Sequence, residues 1–273
     1  MMRRTELMNP FHNVVPGEKA TVTLPTDRRY HKIIFEYRAG TTLAARSTMQ
    51  SAVKNIRVML NGVPQWEKSA AELFAILSIK GVNLSSGIIP LNFSEPWRRT
   101  PNGEDATAWS LQGKASSFQI EVELDAAASN PSIKCYAEYD NVDAPLLIKK
   151  FTRSQVQVST TGILTVDQIP NLGDIHAMYG FEKEAGDIKS VKIERNGYVA
   201  YDLPRAIAGE ALRTHGGAVV NDVFAVRFDR TERIGHFLKL TKQDGFSVPI
   251  KQEYDMAKAN SFTQILEYLG APN

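Results

Sequence analysis

Apolar and polar residues alternate strictly through several stretches of the chain. In VKNIRVMLNG, Ile56, Val58 and Leu60 alternate with Arg57, Met59 and Asn61. In IKSVKIERNG, Val191 and Ile193 alternate with Lys192 and Glu194. A period of two puts every second side chain on one face, so each stretch predicts a strand with one side buried. ATVTL (20–24), FQIEVEL (118–124) and FSVPI (246–250) read the same way. Phe35 and Tyr37 of FEYRAG face opposite to Glu36 and Arg38, and Gly40 permits a turn out of that strand. Asn61–Gly62 and Asn196–Gly197 supply the positive φ angles of a type I′ turn, so both alternating stretches open a hairpin. Helices are expected in the connections. Ser69 and Glu72 form a capping box ahead of Leu73, Phe74, Ile76 and Leu77, with Gly81 ending that helix. A second helix is expected from Pro204, at its first position, to Gly216–Gly217.

The pattern occurs twice. FEYRAG (35–40) returns as FEKEAG (181–186). VKNIRVMLNG (53–62) returns 135 residues later as IKSVKIERNG (188–197). At that offset Trp66–Glu67 meets Tyr201–Asp202, and LNF (91–93) meets VRF (226–228). LDAAASN (124–130) returns as YDMAKAN (254–260), 130 residues on. Ordered matches with drifting offsets indicate a duplicated domain with loop insertions. Each half is then a β domain of many short strands, which points to a mainly β fold of two tandem eight-stranded jelly-roll barrels with short connecting helices. The linker DNVDAPLLIKKFTR (140–153) contains Pro145 and holds the boundary. The expected organisation is an N-terminal arm over 1–12, a first barrel over 13–145 and a second over 146–273.

Composition narrows the function. The 32 basic and 30 acidic residues leave a net charge of +2, too balanced for a protein whose main work is neutralising nucleic-acid phosphates. The single Cys135 excludes an internal disulfide and multi-cysteine zinc binding, and fits a buried small hydrophobe made in a reducing compartment. MMRRTELMNPFHNVV lacks the apolar run of a secretory signal, and the apolar run 70–79 is too short to cross a bilayer. No nucleophile elbow, phosphate loop, dinucleotide fingerprint or His-Glu-x-x-His motif occurs. The chemistry-bearing candidates are therefore scattered ones. His31 and His176 occupy similar places before the two FE phrases, as a paired ligand or base or as inherited strand-end residues; His12, His215 and His236 stand apart. Glu104–Asp105 and Asp140/Asp143 offer carboxylates for calcium without a calcium-loop spacing. Asp125 and Asp255 read as turn caps. Trp97 with Arg98 and Arg99 reads as a glycan or nucleic-acid contact, an exposed loop or a subunit contact. Arg3 and Arg4 with Leu7 and Met8 form a basic, apolar arm for a neighbour or for anionic lipid, or a disordered terminus.

NVVPGEKATVTLP (13–25) with Tyr30, VKNIRVMLNG, LDAAASNPSIKCYA (124–137) and ILEYLG (265–270), taken together and in order, resemble a known family. These are the double jelly-roll major capsid proteins of tailless, icosahedral, membrane-containing bacterial viruses, of the corticovirus type above all. The resemblance runs along nearly the whole chain. It implies a structural protein rather than an enzyme, with no catalytic residues and no cofactor. Three two-barrel chains would form a pseudo-hexagonal homotrimer that tiles an icosahedral shell around an internal lipid membrane. Neighbouring trimers, a penton or vertex protein and the inner membrane, reached by the N-terminal arm, would be the partners, without sequence-specific nucleic acid. The protein would be made in the bacterial cytoplasm and reside in the virion. A structural divalent cation such as calcium would have unassigned ligands. Two other readings fit tandem jelly rolls: a glycan-cleaving amidase with converging carboxylates, and a spike or lectin presenting aromatics such as Trp97.

Overall fold

The computed structural model describes residues 2–273 except 99, 168 and 242–246; the side chain of residue 101 is also outside the description. The chain divides into two compact units: Met1–Phe74, Asn83–Phe151 and Ala271–Asn273 in the first, Ala75–Val82 and Thr152–Gly270 in the second.

The first unit contains β1 (Arg4–Leu7), β2 (Lys19–Leu24), β3 (Arg29–Ala39), β4 (Thr42–Leu43), β5 (Val53–Leu60), β6 (Val63–Lys68), β7 (Ile88–Asn92), β8 (Trp109–Ser110), β9 (Phe118–Leu124) and β10 (Pro131–Asp140). One sheet runs β2-β9-β5-β6; the other runs β1-β10-β3, with β7, β4 and β8 also pairing with β3. Counting the eight principal strands, the sheets hold the second, seventh, fourth and fifth, and the first, eighth, third and sixth. That is the strand order of a jelly roll. β9 shows the cause in its simplest form. Phe118, Ile120, Val122 and Leu124 are buried, while Gln119, Glu121 and Glu123 lie half-buried on the outer face. Between the sheets, Phe93 stacks on Trp109 with ring centroids 4.4 Å apart, and Tyr30 meets Phe118 edge-on at 5.1 Å. Such contacts add to the large area each ring removes from water.

The second jelly roll repeats the plan with β11 (Ile148–Val156, its residues up to Phe151 counting with the first unit), β12 (Gly162–Val166), β13 (Asp174–Phe181), β14 (Ile188–Arg195), β15 (Tyr198–Pro204), β16 (Val223–Arg227), β17 (Ile250–Met256) and β18 (Phe262–Gly270). Its sheets run β11-β18-β13-β16 and β12-β17-β14-β15, the same order strand for strand. Ile175, Met178, Val191, Ile193, Phe224 and Tyr268 are among the residues of its continuous core. The fold is therefore mainly β and consists of two jelly rolls.

Local chemistry sets the turns and helices. Asn61 and Asn196 both have φ of 51°, and Gly62 and Gly197 both have φ of 78°. These are I′ turns whose twist suits the hairpins β5–β6 and β14–β15. Among the described residues the helices are α1 (Arg46–Ala52), α2 (Ala70–Ile79), α3 (Pro101–Asp105) and α4 (Arg205–Arg213). At α2 the Ser69 N–H donates to Glu72 Oε2 (2.7 Å) and the Glu72 N–H to Ser69 Oγ (3.1 Å), a reciprocal capping box. Pro204 lies one position earlier than expected, as the extended residue before α4 with φ of −71°.

Three expectations change. Residues 4–7, expected within an N-terminal arm over 1–12, form the outer strand β1, paired Arg4 to Tyr139 and Leu7 to Tyr136. Their side chains are all exposed, so nothing in RTEL advertises a strand; partner hydrogen bonds and Arg3 fix it. In FSVPI, Phe246 lies outside the described residues, Ser247 makes an isolated bridge to Thr241, and β17 starts only at Ile250. Pro249 has no N–H for a ladder, and its carbonyl accepts from Asn196 instead (2.9 Å). The FE phrases are one residue out of step. Ile33 lies between Ala137 and Leu91, as Met178 does between Leu266 and Val226, so Phe35 corresponds to Gly180 rather than Phe181.

Two glycines separate strain from crowding. Gly197 needs a positive φ but has open space where a methyl would stand, whereas at Gly173 (φ 131°) a methyl would collide with the Leu269 carbonyl. Gly197→Ala is expected to cost about 1 kcal/mol, and Gly173→Ala several times as much. Urea unfolding midpoints check this; equal losses would contradict the packing described.

Candidate functional site

His31 and His176 both sit at β-bulges. Tyr30 faces Tyr139 and Lys32 faces Glu138, leaving His31 as the extra residue of β3. Ile175 faces Tyr268 and Ala177 faces Glu267, leaving His176 as the extra residue of β13. Each bulge carbonyl accepts a backbone N–H at 2.9 Å, from Phe93 and from Phe228 respectively. The backbone device is thus repeated.

The side-chain surroundings are not. His31 Nε2 is 2.9 Å from Asp140 Oδ2, and Asp140 takes two nitrogens of Arg29 at 2.9 and 2.5 Å. Arg3 bridges Glu104 (2.9 Å), Asp105 and Glu138 (3.2 Å). Burial opposes ionisation of Asp140, but Arg29, the Val142 N–H and His31 outweigh it and hold the carboxyl well below its usual range. Burial pushes the His31 imidazole down, against the pull of Asp140. His176 instead stacks on Phe237, with centroids 6.0 Å apart and planes within 12°. The second unit buries other ions: Lys80 with Glu267 at 2.5 Å, which also accepts from Tyr179 at 3.0 Å, and Arg227 with Asp229 at 3.0 Å and Glu232 at 3.1 Å. Burial and the Glu267 charge push the Tyr179 hydroxyl far up. The two histidines therefore share a strand position but not a reaction centre.

The remaining candidates take structural places. Glu104 and Asp105 meet Arg3, and Asp143 meets Lys114. Among the described residues no three His, Cys, Asp or Glu side chains converge as metal ligands. Arg98 is buried, with two nitrogens on Glu95 at 2.8 and 2.6 Å, and Lys149 reaches the same carboxylate at 2.9 Å. Trp97 is half-buried with the Lys149 ammonium 5.3 Å from its ring centre. The expected exposed contact at 97–99 is thus an internal ion cluster at Trp97 and Arg98, because Glu95 demands cations where it is buried; Arg99 lies outside the described residues. Cys135 is buried, its thiol pushed up to about 12 by desolvation. Asp125 caps its turn through the Ala127 N–H (2.6 Å) and pairs with Lys54 (2.6 Å), while Asp255 lies 3.5 Å from Lys189. Register places Asp255 opposite Ser190 as Glu123 lies opposite Asn55, so the two aspartates are two residues out of step. His12 bridges Thr21, His215 is half-buried beyond α4, and His236 Nδ1 lies 2.6 Å from Thr231 Oγ1.

The repeats differ most at one sheet edge. β6 and β15 share a register: Val58 faces Trp66 and Ile193 faces Tyr201, with Gln65 and Ala200 as bulges. β6 is covered inside the first unit. The Trp66 Nε1–H donates to the Lys149 carbonyl (2.6 Å), the Asn273 N–H donates to Gln65 Oε1 (3.0 Å), and the Lys68 ammonium stands 3.0 Å from the Phe151 ring centre. Trp66 and Lys68 are each 2% exposed. On β15, Ala200, Asp202 and Pro204 are exposed where Gln65, Glu67 and Ser69 are buried or half-buried, while Tyr198 (77%) and Val199 (57%) are exposed as their counterparts Val63 (39%) and Pro64 are.

Comparison with family models decides what such a molecule is. Residues 5–140 match the viral coat protein P2 N-terminal domain, and residues 148–272 the viral coat protein P2 C-terminal domain. The chain belongs to the viral coat protein P2 family. It is a structural capsid protein, not an enzyme, and assembles with copies of itself into the shell of a virion. Among solved structures, the major capsid protein P2 of bacteriophage PM2 superposes with a TM-score of 0.88 at 20% identity, over 100% of this chain and 98% of that one. The STIV major capsid protein gives 0.69 at 13% identity over 99% and 97%. The PBCV-1 capsid protein gives 0.67 at 10% identity over 98% and 93%. At these identities the likeness is one of fold. Comparison with curated proteins found no match.

Removing one partner of a buried pair strands the other. Asp140→Asn is expected to cost about 3 kcal/mol at neutral pH. The folded Asp140 value lies below the unfolded one. Its stabilisation is therefore present above the unfolded value of about 4 and lost as pH falls from there through the folded value. Urea midpoints from neutral to acid pH should show the gap between wild type and Asp140→Asn closing in that window. A constant gap would contradict the assignment.

Proposed function

We propose that three copies form a pseudo-hexagonal homotrimer, the tile of an icosahedral shell around an internal lipid membrane. The observation that carries this reading is the presence of two jelly rolls of identical strand order in one chain. Three such chains contribute six similar barrels, which gives a nearly six-sided outline from three identical parts. Six-sided tiles pack side by side, and contacts that differ between the two barrels let the lattice curve and close. Five-fold vertices do not fit such a tile, so a separate vertex protein completes the shell. Assembly takes place in the cytoplasm of a bacterial host.

The balanced charge of +2 supports a shell without sequence-specific nucleic-acid contacts. With Arg4–Leu7 built into a sheet, the reading does not assign the membrane contact to a free N-terminal arm. No cofactor takes part. A structural divalent cation would draw ligands from more than one copy, since Glu104, Asp105 and Asp140 already face guanidinium groups.

Light scattering coupled to size exclusion tests the tile. The expected solution mass is three times the 30.3 kDa chain, with a buried interface on the order of 2,000 Å² or more. A mass of one chain at high protein concentration would contradict it.

A further inference from the structure

We propose that the strip formed by β15 and the start of α4 receives the β1 edge of a second copy, joining unlike surfaces head to tail. The inference rests on the trimer reading and names the surfaces that build it.

Exposure comes first. Tyr198 (77%), Val199 (57%) and Ile207 (54%) lie within one short stretch, three of the nine exposed large hydrophobics among the described residues. β15 is also the last strand of its sheet, so one row of its backbone groups is unpaired. A bare apolar edge is a ready template for another chain.

The repeat then says what covers it. The corresponding strand β6 is covered by Lys149 and Phe151, which lie in the opening residues of β11 and count with the first unit. β11 is the first strand of the second jelly roll; its counterpart in the first is β1. Register along β6 and β15 is preserved, so the kind of segment that fits one edge fits the other. Within its own unit β1 offers that segment with all four side chains exposed.

The chemistry agrees. The cover on β6 reads Lys149-Lys150-Phe151, basic then apolar. β1 and the residues before it present Met2 (80% exposed), Arg4 and Leu7 (60% exposed). The β15 strip supplies apolar Tyr198, Val199 and Ile207 and an exposed acid, Asp202, for Arg4. Because β15 is exposed at Ala200 and Asp202 where β6 is covered at Gln65 and Glu67, the contact joins different surfaces. Heterologous contacts close into rings when their rotation permits, and a rotation of about 120° closes a ring of three.

Two variants separate the two faces: Val199→Lys with Ile207→Glu, and Arg4→Glu with Leu7→Asp. All four positions are exposed, and circular dichroism with melting checks folding. Each variant alone should fall from three chains to one in solution mass. Mixed in equal amounts, they should give a complex of two chains, because each keeps the face the other lacks. Either variant remaining trimeric, or a mixture without complex, overturns the proposal. Leu7→Cys and Val199→Cys combined in one chain read the same contact without new charge. Oxidation should link two and three chains, with Cys135 buried and unreactive. A trimeric protein that yields only single chains on the gel would overturn it. A wild type running as one chain removes the trimer and this contact together; a trimeric wild type with trimeric variants removes the contact alone.

Discussion

An antiparallel sheet that does not close on itself ends in two rows of unpaired backbone groups, and the fold of this chain is organised around where those rows go. Each jelly roll has two sheets, hence four edges. A lone soluble protein must blunt such edges. A coat protein has another use for them, since every edge left open is a site at which a copy can add. The first unit covers β6 with its own residues, through Trp66, Lys68 and Gln65. The second leaves Ala200, Asp202 and Pro204 of β15 exposed within the chain.

Duplication explains how one sequence holds both solutions. The backbone program is kept: strand order, the I′ turns at Asn61 and Asn196, the bulges at His31 and His176, and the carbonyl contacts to Phe93 and Phe228. The side-chain fillings diverge. Asp140 with Arg29 and His31 serves one unit, Glu267 with Lys80 and Tyr179 the other. Buried ion pairs add little net stability over apolar residues of the same size, but they penalise any arrangement that separates them. Here they hold long strands to particular partners, so that edges of nearly equal shape are presented with different chemistry.

Much of this was legible along the chain because it is local. Alternation marks β5, β9 and β14, Asn-Gly marks the turns after β5 and β14, and Ser69 with Glu72 marks α2. The match at Trp66 and Tyr201 survives because the hairpin carries no insertion. What was hidden depends on distant partners. RTEL has no buried face, so β1 is held by β10, by Arg28 at Glu6 and by Arg3 reaching Glu104, Asp105 and Glu138. Trp97 and Arg98 look like a surface patch until Glu95 and Lys149 are in place. The FE phrases align by letters, whereas the bulges set the register one residue away. The contrast in exposure between matching strands has no sequence signal, because it needs the fold.

Hydrogen–deuterium exchange, compared between single chains and assembled protein, tests most directly that edge cover divides between the chain and its neighbours. The account predicts slow exchange along β6 in both states, and exchange along β15 and β1 that slows only on assembly. β15 amides equally protected in the single chain, or β6 amides gaining protection on assembly, would contradict it.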